Sequence, residues 1–131
     1  MKELSGAEWY VLESLWADSP KIGSQIVADL SKKRGWSRST TLTMLRRMVE
    51  KDLIACDDSG KMKAYTPLIG REEAVKKETE SFLDRVYKGS VSMLLNGFVE
   101  KRNLTSEEID ELRQILDHAQ KECRNGEEDE H

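Results

Sequence analysis

WSRSTTLTMLRRMVEKDLIACDDSGKMKAYTP, residues 36–67, is the stretch that decides the fold. Ser37 stands as an N-cap ahead of a run from Arg38 to Val49 that carries helical periodicity. At about 100° per residue, Thr41, Met44, Leu45 and Met48 gather on one side, and Ser39, Thr43, Arg46, Arg47 and Glu50 on the other. The spacing predicts a helix with a dry face and a basic, hydroxyl-rich face. Behind it, 52–57 and 62–67 are short extended runs around Asp58-Ser59-Gly60-Lys61. They read as a β-hairpin, and Pro67 stops its second strand.

Upstream, Leu4-Ser5-Gly6-Ala7-Glu8-Trp9 predicts a helix start twice over. Ser5 and Glu8 have the spacing of a capping box, and Leu4 and Trp9 that of a hydrophobic staple. Trp9, Leu12, Leu15 and Trp16 recur at helical spacing until Asp18-Ser19-Pro20. A second amphipathic segment carries Ile22, Ile26, Val27 and Leu30 and leaves through Ser31-Lys32-Lys33-Arg34-Gly35, with Gly35 as C-terminal punctuation. Three helices followed by a hairpin are the winged variant of the helix-turn-helix. Trp9, Trp16 and Trp36 are expected in its core, and Cys56 as a small buried hydrophobe.

From Gly70 the character changes. Residues 71–88 place Ala74, Phe82, Leu83, Val86 and Tyr87 among many charges, Gly89-Ser90 breaks the run, and Val91 to Val99 starts another helix. Leu104-Thr105-Ser106-Glu107-Glu108-Ile109 repeats the capping-box and staple pattern ahead of Leu112, Ile115, Leu116 and Ala119. Three such helices enclose little core of their own, so pairing with a second copy is the natural remedy. Phe82, Val86, Tyr87, Leu94, Leu95, Phe98, Ile109, Leu112 and Leu116 are the expected dimerisation residues. The fold class is therefore mainly α with a small β-hairpin wing. The expected division is a winged helix-turn-helix domain over 1–69, a three-helix dimerisation region over 70–122 and an acidic, disordered tail over 123–131.

Composition narrows the function. The chain has 131 residues, 37% hydrophobic and 35% charged, which is too short and too polar for a large catalytic barrel. Two cysteines, Cys56 and Cys123, make neither a disulfide scaffold nor a CxxC motif, and fit a reducing, cytoplasmic setting. Glu3, Glu8 and Glu13 interrupt any signal-peptide core, and no apolar run is long enough to span a bilayer. His118 and His131 have no partner at a metal spacing, and there is no phosphate-binding glycine loop or nucleophile elbow. No catalytic residue, metal or cofactor is expected, and no membrane partner.

The net charge of −4 argues against nucleic acid only until it is divided. Residues 1–69 hold 11 Lys and Arg against 9 Asp and Glu, residues 70–131 hold 10 against 16, and residues 32–63 hold nine against four. The basic cluster spans the presumed recognition helix and wing, where phosphates would lie. Arg38, Ser39, Thr40, Thr43, Arg46 and Arg47 are the expected DNA contacts on that helix, because the start of the second helix of such a motif presents side chains to the major groove. A solvated face with hydroxyls that merely cap is the plainer reading of the same residues. Lys61 and Lys63 on the wing suit DNA backbone or minor-groove contact and equally suit discouraging edge-to-edge aggregation. The rival function is a winged-helix module that docks an acidic protein and never binds DNA.

These residues resemble the penicillinase-repressor family of bacterial winged-helix regulators, the BlaI/MecI/CopY type. The resemblance runs from about Leu4 to Leu116. It rests on Leu4-Ser5-x-x-Glu8 with Trp16, Trp36-Ser37-x-x-Thr40, Arg47-Met48-x-x-Lys51-x-Leu53-Ile54, Tyr65-Thr66-Pro67-Leu68, Val86-Tyr87-Lys88-Gly89, Phe98-Val99-Glu100 and Leu104-Thr105-x-x-Glu108-Ile109-x-Glu111-Leu112. It implies a homodimer that binds a palindromic operator and represses transcription, in control of antibiotic-resistance or of stress- or metal-response genes. In the β-lactam branch a sensor-controlled protease cuts near an Asn-Phe pair, where this chain reads Asn96-Gly97-Phe98. The copper-responsive branch carries a C-terminal cysteine cluster, where this chain has Cys123 alone. Many relatives place a basic residue where Leu42 stands.

Overall fold

The computed structural model describes residues 4–101 and 103–129, with side chains described through Gly126. The element order is α1 (Gly6–Ala17), β1 (Lys21–Ile22), α2 (Gly23–Arg34), α3 (Arg38–Glu50), β2 (Ile54–Asp57), β3 (Ala64–Pro67), α4 (Arg71–Tyr87), α5 (Val91–Lys101) and α6 (Ser106–Asp129). The chain divides into two compact units, the first running to Phe82 and the second starting at Leu83.

In the first unit each helix starts and stops where its sequence dictates. The Ser5 hydroxyl accepts from the Glu8 amide at 3.1 Å while the Ser5 amide donates to Glu8 Oε1 at 2.9 Å, closing the expected capping box. Gly35 ends α2 in the left-handed conformation, φ 68°, and its amide bonds back to the carbonyls of Leu30 and Ser31. Ser37 caps α3 through the Thr40 amide at 3.2 Å.

The apolar stripes of these helices meet one another. Val11, Leu12 and Leu15 from α1, Ile26 and Leu30 from α2, and Leu45 and Met48 from α3 are almost wholly buried. Leu53, Ile54, Tyr65, Ile69 and Ala74 complete the cluster. Each such side chain contributes about 1.5–3 kcal/mol relative to exposure, so this unit holds its own core. Trp9, Trp16, Trp36 and Cys56 are partly buried against it, close to expectation. Trp16 packs edge-on to Trp9 at 5.3 Å between ring centroids, and its indole N–H donates to the Ile69 carbonyl at 2.9 Å. Ala74 lies in the same core as Ile69, so the first unit extends past the boundary expected at 69 into α4.

The hairpin pairs β2 with β3 in antiparallel register, Cys56 opposite Tyr65 and Asp57 opposite Ala64. A third strand joins it: β1 pairs with β3, Lys21 opposite Tyr65 and Ile22 opposite Ala64. Two residues offer no alternation to read, which is why β1 is absent from the sequence expectation. Asp57 Oδ1 accepts from both the amide and the hydroxyl of Ser59, at 3.0 and 2.6 Å, and folds the chain into the wing loop.

In the second unit, the end of α4 is closed by Lys88 and Gly89 at φ 52° and 82°, with the Gly89 amide reaching the Leu83 carbonyl at 3.0 Å. The Thr105 hydroxyl caps the Glu108 amide at 3.1 Å, and Glu108 Oε1 returns a bond to the Thr105 amide at 3.3 Å. Helix α6 continues through Asp129, so 123–129 is helical where the lack of apolar residues predicted disorder. A helix already nucleated upstream propagates without a buried face, here even past Asn125-Gly126. Glu130 and His131 lie outside the described residues.

Candidate nucleic-acid interface

Helix α3 sorts its side chains as the periodicity predicts. Thr41, Leu45 and Met48 are buried, whereas Arg38, Ser39, Thr40, Arg46 and Arg47 are exposed and Thr43 is half-buried. All six expected helix contacts thus lie on one short element outside the core. Its first turn holds no acidic residue, so the positive end of the helix dipole faces solvent uncompensated.

The hydroxyls at that end form a small network. Ser37 Oγ donates to Thr40 Oγ1 at 2.9 Å and lies 3.2 Å from Ser39 Oγ. Capping and contact are therefore compatible. Because Ser37 is the donor to Thr40, the Thr40 O–H keeps its proton for an outside acceptor such as a phosphate or base edge.

Ion pairing separates structural cations from available ones. Lys51 Nζ sits 2.9 Å from Glu8 Oε2, and Lys33 and Lys21 lie 3.2 and 3.8 Å from the Asp29 carboxylate. Arg34 stacks over the Tyr10 ring, 3.5 Å from its centroid. By contrast Lys32, Arg38, Arg46, Arg47, Lys61 and Lys63 have no carboxylate partner among the described residues. Burial works to raise the Glu8 pKa, but the Ser5 amide and the Lys51 ammonium outweigh it and hold the carboxyl below its ordinary value. For Asp29 the Ser14 hydroxyl leads, with Lys33 and Lys21 adding to it against a smaller opposing effect of burial, and the pKa is again lowered. The basic count in 32–63 thus overstates the free positive charge, since three of its bases brace the fold. Lys51 carried no local sign of this, because its partner Glu8 is 43 residues away.

Lys61 and Lys63 are exposed and lie on the loop between β2 and β3, β3 beginning only at Ala64. The Asp57 carboxylate, held below its usual range by the Ser59 hydroxyl and amide, is engaged in the turn that presents them. Lys32, counted in the basic cluster but not among the expected contacts, is exposed at the end of α2 and has no carboxylate partner among the described residues.

Apart from Phe82, the last residue of the first unit, the expected dimerisation residues occupy the other unit. Phe82, Val86, Phe98, Ile109 and Leu116 are exposed, and Tyr87, Leu94, Leu95 and Leu112 are half-buried. Val91, Met93, Val99 and Ile115 are also more than half exposed. No described side chain beyond Ala74 is buried. A cleft of about 260 Å³ lined by Leu95, Phe98, Leu104, Leu112 and Ile115 opens within this unit.

The family profile described as penicillinase repressor matches residues 4–118. The chain belongs to the penicillinase repressor family. Among members of this family, it is 33% identical over 114 residues to the methicillin resistance regulatory protein MecI of Mammaliicoccus sciuri, spanning 87% of this chain and 93% of that protein. It is 34% identical over 115 residues to the penicillinase repressor of Bacillus licheniformis, spanning 88% and 90% respectively. Among solved structures, the monomeric form of Bacillus licheniformis BlaI in complex with the blaP half-operator superimposes with a TM-score of 0.50 at 30% identity, covering 55% of this chain and 88% of that one. The penicillinase repressor family is one of transcriptional regulators, not enzymes, and the winged helix-turn-helix reading of this chain agrees with it.

Proposed function

We propose that this protein is a sequence-specific DNA-binding transcriptional repressor that acts as a cytoplasmic homodimer on a palindromic operator. The observation that carries the reading is the exposed face of α3, where Arg38, Arg46 and Arg47 stand without carboxylate partners among the described residues while nearby lysines are paired. Cations kept unpaired on one helix face suit phosphates, whose neutralisation releases counterions and supplies most of the affinity. Arg38, Ser39, Thr40, Thr43, Arg46 and Arg47 enter the major groove, with Lys61 and Lys63 on the flanking backbone. The family relationship and the half-operator complex of the similar BlaI support the same role.

The homodimer rests on the exposed apolar side chains of the second unit, Val86, Phe98, Ile109 and Leu116 among them, which a second copy would cover. A twofold protein presents its two recognition helices about 34 Å apart, or a multiple of that, to successive turns of a twofold site. No described helix is long and apolar enough to cross a membrane. Release by a sensor-controlled protease is not part of this reading, because Asn96-Gly97-Phe98 departs from the Asn-Phe pair, with Gly97 in between.

Binding to a pool of genomic fragments at physiological salt tests the proposal. Recovery of fragments sharing an inverted repeat is expected. Equal binding of all fragments would favour a winged-helix module that docks an acidic protein instead.

A further inference from the structure

We propose that Leu42 reads the C5-methyl group of a thymine in the operator, an inference that rests on the DNA-binding role above. Leu42 is 37% exposed on α3, one turn after Arg38 and one turn before Arg46. It is an apolar side chain on a rim otherwise made of arginine, serine and threonine. Its direction is set by the opening of α2. A Cβ placed on Gly23 would lie 3.8 Å from Leu42 Cδ2 and 3.9 Å from Tyr65 Cε2, so the inner side of the isobutyl group rests near that backbone while the outer side meets water.

The chemistry of the groove selects the occupant. Base edges in the major groove present donors and acceptors, and thymine adds the one apolar feature, its methyl group. An isobutyl group neither donates nor accepts. Set against a cytosine amine, a guanine carbonyl or a phosphate it removes water and returns nothing, which penalises those partners. Set against the thymine methyl it buries apolar surface on both sides. Arg38 and Arg46 on either side, unpaired with any carboxylate among the described residues, hold that part of the helix against the phosphates and bring Leu42 to the base edges.

The test uses the full chain and duplexes of the site it selects from genomic DNA, with each thymine replaced in turn by deoxyuridine, which lacks only the methyl group. At each member of one symmetry-related pair of thymines the single replacement should weaken binding about fourfold, the effect of roughly one buried methyl. Leu42→Ala should lose sensitivity at that pair alone, and Leu42→Met, which keeps the apolar bulk, should retain it, both variants being folded at the temperature of the assay. If the native chain tolerates deoxyuridine at every position, or Leu42→Ala keeps the full pattern, Leu42 reads no methyl group although the operator-binding role stands. If no site is selected at all, that role and this contact fall together.

Discussion

At the scale of single residues, partners decide what a charge is for. Arg47 is exposed and without a carboxylate partner among the described residues, so Arg47→Ala should weaken operator binding uniformly across sequences. The slope of log affinity against log salt should fall by about 0.9, the share of one phosphate, as read from gel shifts over a salt series. Glu8 is the opposite case, its side chain 4% exposed and held by Lys51. Its folded pKa lies below the 4.5 of the free group, so its stabilising contribution is complete above that value and is lost as pH falls through the lower folded value. Urea unfolding from about pH 5 down to about pH 3 should show a declining midpoint, and Glu8→Gln should make the decline shallower. Thr41 presents a third situation, since its Oγ1 is buried with no hydrogen-bond partner among the described residues. Thr41→Val keeps the shape and removes the stranded hydroxyl, so the domain should gain about 1 kcal/mol in chemical denaturation.

At the scale of elements, the turn between α2 and α3 sets where α3 begins. Gly35 takes φ 68° with nothing within 4 Å of the place its Cβ would occupy. Gly35→Ala therefore meets no clash and pays only for the left-handed backbone, about 1–2 kcal/mol, measurable as a lower thermal midpoint. The element starts were legible in the sequence because capping is local: Ser5 with Glu8, Ser37 with Thr40 and Thr105 with Glu108 each close within three residues. β1 was not legible, because Lys21 and Ile22 become a strand only through Tyr65 and Ala64, more than forty positions away. Nor was the length of α6, where composition speaks of burial and the helix continues without any.

At the scale of the molecule, one unit has a core and the other an exposed apolar surface. Residues 4–82 bury a closed cluster from Val11 to Ala74, whereas among the described side chains from Leu83 on none is buried. Deletion of residues 83–131 should leave a folded winged helix that sediments as a monomer and binds a half-site, while the full chain sediments as a dimer. A dimer that survives the deletion would place the interface in the first unit. The acidic second unit also accounts for the net charge of −4, since the surplus of bases lies in residues 32–63.

The three-helix-and-hairpin order, the dry and basic faces of α3 and the polarity between a basic half and an acidic one were legible in the chain before any fold was known. All of these follow from periodicity, capping and charge counted over neighbouring residues. Which bases are free followed from packing. Pairing of Lys51 with Glu8 and of Lys21 with Asp29 brings together groups on different elements, and electrostatic energy depends on distance in space. For the same reason the packing against Gly23 that turns Leu42 outward beside two unpaired arginines emerges only once α2 and α3 have met.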